Sequence, residues 1–473
     1  MTQDTSSKTI LAAAGLAADP RIAEAKRLIQ ETIAEHSAPL TAVADPVPAL
    51  VADYQAMFDE YSKLRGGKVY FPYLGSGIGN GPFVELADGS VKLDLISGIG
   101  VHGFGHSHPK LVEAGIDAAL CDTVMQGNLQ ANPSIVDTSR LLVDLAKEGG
   151  SGINHCFLTT SGAMANENAL KLAFQQNAPA NRIVAFTHCF AGRTLALAQV
   201  TDKAAYRQGL PDTIAVDYIP FFDESAPERS TEIAVNHFKY YLNRHPGKYA
   251  AIWLELIQGE GGYYPGQTEF FRQLMTVARE HGVAVIADEV QTFGRTSRPY
   301  AFQHFGVDDL FDIVTVGKIT QVCATLFTDQ YAPQPGLISQ TFTGSNMTIL
   351  AANAILQGLV DAGNFGDDGK NMALHSHFAN RLTELSKKHA GCVSGPFGIG
   401  GMVAFTAFDG SSARTNELID RLYAAGLMSF MAGGSPSRVR FLLPLGCIEN
   451  EHIDVACEII DRVVGDMAAG KQA

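Results

Sequence analysis

The 473-residue sequence lacks the patterns that mark several broad classes of protein. It has no long run of lysine and arginine, and 35 basic against 49 acidic residues leave a net charge of −14, so we expect no nucleic-acid partner. Its seven cysteines include no CxxC pair, which argues against a disulfide framework and a structural zinc site. No apolar stretch approaches the roughly 20 residues that span a bilayer, and we find no convincing export signal, so we expect a cytoplasmic protein without a membrane partner.

The N-terminal part of the sequence predicts helices followed by a hairpin. Residues 1–66 contain polar-faced helical patterns joined by a proline-rich break, and we interpret them as a peripheral helical extension. Residues 67–109 then alternate apolar and polar residues on both sides of Asp88 and Gly89, which is typical of a two-residue hairpin turn. The segment GSGIGNG has no strand before it and no helix after it, so we predict a flexible turn there and not a dinucleotide-binding loop.

The middle of the chain predicts the main architectural unit. In residues 110–355, short apolar runs such as IVAF, VAVIAD and DIVTV alternate with amphipathic helical patterns, which indicates an α/β fold with a doubly wound, mostly parallel sheet. Residues 356–473 mix strand and helix patterns and predict a separate small α+β domain. Ligands of doubly wound sheets bind beyond the carboxyl ends of the strands, so polar residues at those ends are the candidate site.

Charged side chains follow several of the predicted strands. VAVIADEVQ leads to Asp288, IWLELIQGEGG to Glu260, and DIVTVGK to Lys318. Burial at a strand end lowers the pKa of a lysine and favours the neutral amine that forms a Schiff base. A Ser-Gly-Ala turn directly before a helix offers free backbone N–H groups to a phosphate. A phosphate site, a nucleophilic lysine and a carboxylate for a ring nitrogen are what a pyridoxal phosphate (PLP) enzyme supplies to its cofactor.

With these motifs in this order, the sequence resembles the class III aminotransferases of PLP fold type I, over residues from about Tyr73 to about Val464. The resemblance implies a large αβα domain with a mostly parallel sheet and a smaller α+β domain formed by the N- and C-terminal segments. It also implies pyridoxal 5'-phosphate as the cofactor, no metal site, and a homodimer with shared active sites.

The resemblance assigns the two catalytic residues. IADEVQTFGRT is similar to the family motif whose carboxylate, here Asp288, pairs with the pyridinium nitrogen and whose glutamine, here Gln291, lies near the ring hydroxyl. VTVGK places the Schiff-base lysine of the family at Lys318. Its free amine would then move the proton between the substrate carbon and the cofactor.

Further cofactor contacts follow from three other motifs. SGAMANE resembles the phosphate turn of the family, so Ser161, Gly162 and Ala163 would hold the phosphate. CFAGRT supplies Phe190, which would stack on the ring, and TFTGSN supplies Thr341, which would reach the phosphate of the neighbouring subunit.

Three charged residues are candidates for substrate binding by the same resemblance. Arg193 can take a substrate carboxylate in relatives, although it could instead brace its loop. Arg440 of VRFLLPL would bind an α-carboxylate, and Glu260 of QGEGG would pair with it when an ω-amine is bound, unless that pair is purely structural. Ile99 stands where ornithine aminotransferases carry a substrate-clamping tyrosine, and the runs GKITQVCA and GAMANENALK are similar to lysine 6-aminotransferases.

Single features also have ordinary structural interpretations. Asp288 alone could be a solvated strand end or a helix cap, and Lys318 alone is more often a surface lysine. The ordered set of motifs is what favours a site. GFGHSHP, with His102, His106 and His108, is similar to a helix-start motif of the family, so we predict that it caps a helix and does not bind a metal.

The predicted function is therefore transfer of the terminal amino group of a basic or ω-amino acid to 2-oxoglutarate in a PLP-dependent ping-pong cycle. Ornithine, acetylornithine, lysine and 4-aminobutyrate are the candidate donors. Two alternatives stay open: a PLP-dependent aminomutase or decarboxylase on the same fold, and a non-catalytic binding module.

Overall fold

The structure is a computed structural model that describes residues 11–69 and 71–471, so the first ten residues of the predicted extension lie outside the described part. Its strands are β1 (Gly75–Asn80), β2 (Phe83–Leu86), β3 (Val91–Asp94), β4 (Met125–Gln126), β5 (Ile153–Thr159), β6 (Arg182–Phe186), β7 (Ala215–Ile219), β8 (Tyr249–Leu254), β9 (Ile257–Gln258), β10 (Tyr264–Pro265), β11 (Ala284–Asp288), β12 (Ile313–Val316), β13 (Cys323–Thr328), β14 (Gly344–Ser345), β15 (Val393–Phe397), β16 (Met402–Ala407), β17 (Leu427–Met428), β18 (Phe430–Gly433) and β19 (Ser437–Leu442). Its helices are α1 (Ala12–Ala17), α2 (Pro20–Ser37), α3 (Val51–Leu64), α4 (Ser97–Gly100), α5 (Pro109–Ala119), α6 (Pro133–Lys147), α7 (Gly162–Gln176), α8 (Leu197–Val200), α9 (Pro227–Arg244), α10 (Gly259–Gly262), α11 (Thr268–Glu280), α12 (Ala301–His304), α13 (Asn346–Asp361), α14 (Lys370–Lys388), α15 (Ser412–Ala424) and α16 (Asn450–Ala468). None of these described helices combines the length and apolar character needed to cross a bilayer.

A seven-stranded sheet occupies the middle of the larger domain. Its strand order is β5-β13-β12-β11-β8-β6-β7. Neighbouring strands are parallel except where β13 runs antiparallel to β12 and β5. This confirms the predicted mostly parallel α/β sheet, and it brings the carboxyl ends of β8, β11 and β12 to one edge.

Side chains alternate along each strand and pack into two hydrophobic cores, one on each face of the sheet. In β11, Ile286 packs in the core that α7 covers, whereas Val285 and Ala287 pack in the opposite core, together with residues of α9 and α11. Successive side chains of a strand point to opposite faces of a sheet. The alternation therefore directs Asp288 towards α7 and Glu289 towards the opposite core.

Segments from both ends of the chain build the smaller domain. Strands β1, β2 and β3 share a four-stranded sheet with β17, and β15, β16, β19 and β18 form a second, antiparallel sheet. Helices α14 and α15 pack on that second sheet, and α16 packs on both helices. This confirms the predicted smaller α+β domain.

The hairpin between β2 and β3 turns at the predicted place, but its loop has three residues, 87–89, and not the predicted two, because the Leu86 N–H donates to the Ser90 carbonyl. The Asp88 carboxylate accepts a hydrogen bond from the Ser90 N–H at 2.9 Å, and Gly89 adopts a left-handed φ of +78°. The neighbouring prediction of a flexible turn in GSGIGNG was wrong, because these residues form β1 and pair with β2. A Cβ at Gly79 would collide with the Phe83 carbonyl. Backbone hydrogen bonds and the close approach of the glycines thus hold this segment in the sheet, and the half-buried Ile78 side chain packs against the core.

The first turn of α5 carries the predicted histidine cap. The His108 side chain accepts a hydrogen bond from the Lys110 N–H at 3.2 Å, which confirms the capping role. His106 has a different partner, because its Nε2 lies 3.1 Å from the buried Asp94 carboxylate.

Phe270 of α11 offers a test of the core beneath the sheet. Its side chain is fully buried, and its ring contacts Phe186 and Phe221. We expect Phe270→Ala to lower the free energy of unfolding by about 3–5 kcal/mol, because a large cavity replaces these contacts. Urea-unfolding midpoints measure this, with Tyr240→Ala, at a residue that is 57% exposed, as the control. Equal midpoints for the two variants would contradict the packing described.

Candidate active site

A cavity of about 280 Å³ lies at the carboxyl ends of β11 and β12, against the first turn of α7. Its lining residues are Gly162, Ala163, Asn166, Phe190, Ala191, Gly192, Arg193, Glu255, Asp288, Val290, Gln291 and Lys318. Most of the predicted site residues are therefore brought together. Ser161 directly precedes Gly162 in the chain but is not itself a lining residue. Glu260, Arg440 and Thr341 do not line the cavity either.

Asp288 is the buried carboxylate of the cavity. It accepts hydrogen bonds from the Asn166 side-chain amide at 2.7 Å and from the Val290 N–H at 2.9 Å. Burial raises the pKa of Asp288 to about 6, although these two hydrogen bonds and the nearby Lys318 amine favour the ionised form. A cationic group bound beside Asp288 would therefore keep it ionised at neutral pH.

Asn166 joins several parts of the site, and the motifs did not predict it. Its amide also donates to the Ala191 carbonyl at 2.8 Å, and its own carbonyl accepts from the Thr315 hydroxyl at 2.7 Å. It lies four residues after Gly162 and so on the same face of α7. An amide on a helix face that is otherwise packed with alanine and leucine was the available signal.

Glu255 is the second residue that the motifs missed. It directly follows β8, is buried, and accepts hydrogen bonds from the N–H groups of Phe190 at 3.0 Å and Gly259 at 2.9 Å. Burial and the Asp288 carboxylate raise the pKa of Glu255 to about 8. Glu255 thus connects the loop that carries Phe190 to the turn that carries Glu260.

Lys318 follows β12 and reaches the cavity from an unusual backbone conformation. Its φ of +54° is left-handed, which is uncommon for any residue but glycine. Burial lowers the pKa of Lys318 to about 8; Glu260 and Asp288 oppose this, and Arg440 adds to it. The neutral, nucleophilic amine is therefore a minor form near neutral pH, but far more populated than in a solvent-exposed lysine.

The turn before α7 has the features of an anion site. The Ser161 hydroxyl accepts a hydrogen bond from the Met164 N–H at 3.2 Å and so caps the helix. The first N–H groups of a helix have no partner within it, which leaves those of Gly162 and Ala163 for an anion. A Cβ at Gly162 would lie 2.9 Å from the Val290 side chain, so the turn packs closely only with glycine there.

Arg440 contacts two of the other predicted residues. It is fully buried on β19, and its Nη2 lies 2.5 Å from Glu260 Oε1 while its Nη1 donates to Gln291 Oε1 at 3.1 Å. Burial raises the pKa of Glu260, but Arg440 and Lys318 together hold it below its usual range. The Glu260–Arg440 pair is thus formed, and Gln291 links it to the cavity wall.

Arg193 lies at the exposed side of the cavity. Its guanidinium stacks over the Tyr206 ring, 4.0 Å from the ring centroid. A cation–π contact orients an arginine through its face and does not use its N–H donors. Arg193 is therefore oriented and still able to bind a carboxylate.

Thr341 and Ile99, like Glu260 and Arg440, lie outside the cavity. Thr341 is exposed in the loop before β14, and its contact with a neighbouring subunit stays a prediction. Ile99 lies in a left-handed turn with Ser97 and Gly98, with φ values of +61°, +52° and +63°. Such a conformation is an outlier for a β-branched residue. Ile99 is half-buried and packs against a hydrophobic cluster that includes Tyr263 and Leu442.

Glu289 points away from the cavity, as the strand alternation requires. Its carboxylate accepts hydrogen bonds from the Phe302 N–H at 3.0 Å and from the Thr292 hydroxyl. Burial raises the pKa of Glu289 to about 7. The two adjacent carboxylates are both buried, and only Asp288 faces the cavity.

These residues fit PLP. The start of α7 offers N–H groups for a phosphate, Asp288 offers a carboxylate for a ring nitrogen, and Lys318 offers an amine whose lowered pKa leaves a reactive neutral fraction near neutral pH. Gly192 lets the Phe190 loop approach this turn closely, because a Cβ there would lie 3.2 Å from the Ala163 Cβ. The cavity thus has an anion-binding end, an amine and a buried carboxylate.

Comparison with known proteins gives consistent results. The family model described as aminotransferase class-III matches residues 76–464. An acetylornithine aminotransferase from Caldanaerobacter subterraneus subsp. tengcongensis is 30% identical over 404 residues, which cover 82% of this chain and 94% of that protein.

Solved structures share the fold. The lysine aminotransferase from M. tuberculosis in the internal aldimine form has a TM-score of 0.77 at 24% identity, covering 86% of this chain and 98% of its own. The ornithine aminotransferase from Toxoplasma gondii has a TM-score of 0.76 at 22% identity, and the match covers 89% of this chain and 96% of that protein. At these identities the likeness establishes the fold alone.

The burial of Glu289 predicts that stability depends on pH. Because folding raises the pKa of Glu289 from 4.5 to about 7, the folded protein binds this proton more tightly than the unfolded chain. The free energy of unfolding should therefore fall as the pH rises through this interval. Glu289→Gln keeps an acceptor for the Phe302 N–H and removes the charge, so its free energy of unfolding should fall less.

Urea-unfolding midpoints of the wild type and Glu289→Gln, between about pH 5 and about pH 7.5, measure the difference in slope. Glu280→Gln, at an exposed residue, is the matched control and should follow the wild type. Parallel profiles for all three proteins would contradict the raised pKa of Glu289.

Proposed function

The chain belongs to the class III aminotransferases, a family of PLP-dependent enzymes, and we propose that it transfers the terminal amino group of a basic or ω-amino acid to 2-oxoglutarate. Ornithine, acetylornithine, lysine and 4-aminobutyrate represent the donor class. When bound, PLP supplies the electron sink through which the amino group is transferred. The observation that supports this donor class is the Glu260–Arg440 pair beside Lys318.

Lys318 is the catalytic lysine of the proposal. Its Nζ would hold the cofactor covalently and, once the substrate amine has displaced it, would carry a proton to and from the substrate carbon. A pKa of about 8 suits both tasks, because a neutral amine is the nucleophile and the base whereas its ammonium form is the acid. The left-handed backbone of Lys318 turns its side chain from the end of β12 into the cavity.

Asp288 is the proposed partner of the protonated ring nitrogen. Asn166 donates to one of its oxygens, and the Val290 N–H donates to the other. These donors would hold the carboxylate in place while the ring nitrogen is protonated. Gln291 lines the same cavity, and we assign it to the neighbourhood of the ring hydroxyl.

The phosphate and ring contacts complete the cofactor site. We assign the phosphate to Ser161, Gly162 and Ala163 at the start of α7, and the stacking contact to Phe190. Thr341 would reach the phosphate site of a second copy, which makes the proposed enzyme a homodimer with shared active sites. The exposure of Thr341 in the single chain supports this assignment.

The Glu260–Arg440 pair would let one site accept two kinds of substrate. A donor that presents its terminal amine to the cofactor leaves the pair closed, because its carboxylate lies far from Arg440 and within reach of Arg193. Glutamate and 2-oxoglutarate place a carboxylate next to the reacting carbon, and Arg440 would release Glu260 to bind it bidentately. Glu260 has a side chain that is 28% exposed, so it has room to move.

The visible absorption of the holoenzyme tests the proposed reaction. Glutamate and one ω-amine donor should each bleach the cofactor band, and 2-oxoglutarate should restore it. Lys318→Ala should reduce turnover below detection, because no other lysine of the described residues lines the cavity. Lys171→Ala, at an exposed position of α7, should be fully active.

Other spectral outcomes would favour the alternatives. Conversion of the amine without any keto-acid acceptor would indicate an aminomutase or a decarboxylase. A colourless protein that PLP cannot restore would indicate a binding module. Full activity of Lys318→Ala would contradict the proposal.

Glu260→Gln tests the switch. Its amide cannot neutralise Arg440, so the carboxylate of glutamate should meet a free guanidinium and the KM for glutamate should fall. The kcat/KM for the ω-amine donor should fall by about tenfold or more, because a buried charge is left unpaired. Glu228→Gln, at an exposed residue, is the matched control. Equal proportional changes for both substrates would show that the pair is only structural.

A further inference from the structure

Arg438 is a buried arginine in an unusual setting. It lies on β19 with 5% of its surface exposed, and its guanidinium carbon lies 3.4 Å from the centroid of the Phe397 ring and 4.2 Å from that of Tyr264. The two rings contact the flat guanidinium, so its N–H edges are left for hydrogen bonding. Burial lowers the pKa of Arg438.

The hydrogen-bonding capacity of Arg438 is only partly used. Its Nη1 donates to the Gly262 carbonyl, whereas Nε is buried without a partner and Nη2 makes no hydrogen bond with the described residues. No carboxylate within the described part of the chain pairs with it, in contrast to Arg440, two residues along the same strand. Nε and Nη2 together form the edge that binds a carboxylate through two parallel hydrogen bonds.

Arg438 lines a second cavity, of about 940 Å³, between the two domains. Much of the lining is apolar and aromatic, including Phe221, Tyr264 and Phe397. Asp223 and Glu224 also line the cavity and are exposed to solvent. A concave, mainly apolar site with one buried cation matches the general construction of a small-molecule site.

We propose that this interdomain cavity binds a small monocarboxylate with an apolar body, with its carboxylate on the free edge of Arg438 and its body against the aromatic side chains. A single negative charge is favoured over two, because Asp223 and Glu224 repel a second carboxylate at the exposed side. This site is separate from the proposed substrate site. The two cavities share no lining residue. Arg438 donates to Gly262 of the α10 turn, whereas Lys318 lies near Glu260 of the same turn.

Calorimetric titration of the PLP-loaded enzyme with 3-phenylpropionate tests the proposal, with 3-phenylpropanamide as the uncharged ligand of the same shape. The Kd for the acid should be lower than the Kd for the amide by a factor of about ten or more, as expected for a charge-assisted, two-point hydrogen bond. Arg438→Gln should reduce the affinity for the acid to that for the amide. Arg438→Lys should retain part of the difference, because it keeps the charge and loses the two-point geometry.

Two further variants distinguish the possible binding sites of the acid. Arg298→Gln, a partly exposed arginine that pairs with Asp367, should bind the acid as the wild type does. Arg440→Gln should also keep the affinity. Loss of binding in Arg440→Gln but not in Arg438→Gln would place the acid in the substrate site and overturn the proposal.

Equal affinities of the wild type for the acid and the amide would overturn it as well. This comparison needs no variant, so it decides the matter even if Arg438→Gln fails to fold. Failure here leaves the proposed transamination untouched, because the visible absorption assay reports on the other cavity.

Discussion

The hydrogen bond between Asn166 and Asp288 is the contact on which the organisation of the site depends. A carboxylate at the end of a buried strand is strongly destabilised unless donors surround it. Asn166 supplies one donor from α7, and its remaining hydrogen bonds connect α7 to the Ala191 loop and to Thr315 on β12. Because one amide joins these segments, the need to stabilise Asp288 also brings the phosphate turn and the aromatic loop to the same place.

Three cations lie among the buried carboxylates of the site. The chain carries −14, yet Lys318, Arg440 and Arg295 lie together where the domains meet. Arg295 is fully buried and donates to the carbonyls of Gln291 and Gly100, with no carboxylate partner among the described residues. Burial lowers its pKa to about 10. Arg295 therefore adds a positive charge that no carboxylate of the described residues pairs with, and its field favours the binding of a small carboxylate nearby.

Much of the fold and of the cavity could be predicted from the sequence because both depend on local patterns. Apolar runs ending in polar residues located the strand ends, and the motif order brought Asp288, Lys318 and the start of α7 together. Asn166 and Glu255 were missed because their roles depend on contacts with distant segments. The GSGIGNG strand was missed because backbone pairing carries no side-chain pattern. The role of Thr341 depends on a second chain.

Lys318 illustrates how function and stability can conflict at a single residue. Its backbone lies in a region where glycine is favoured and where other residues store strain. Glycine at this position would relax the local conformation and remove a poorly solvated amine, so the folded state would tolerate its introduction well. Local folding energetics alone would therefore never select a lysine here. Only the chemistry of the amine favours it, and an inactive descendant of this protein could lose the lysine first and keep the whole architecture.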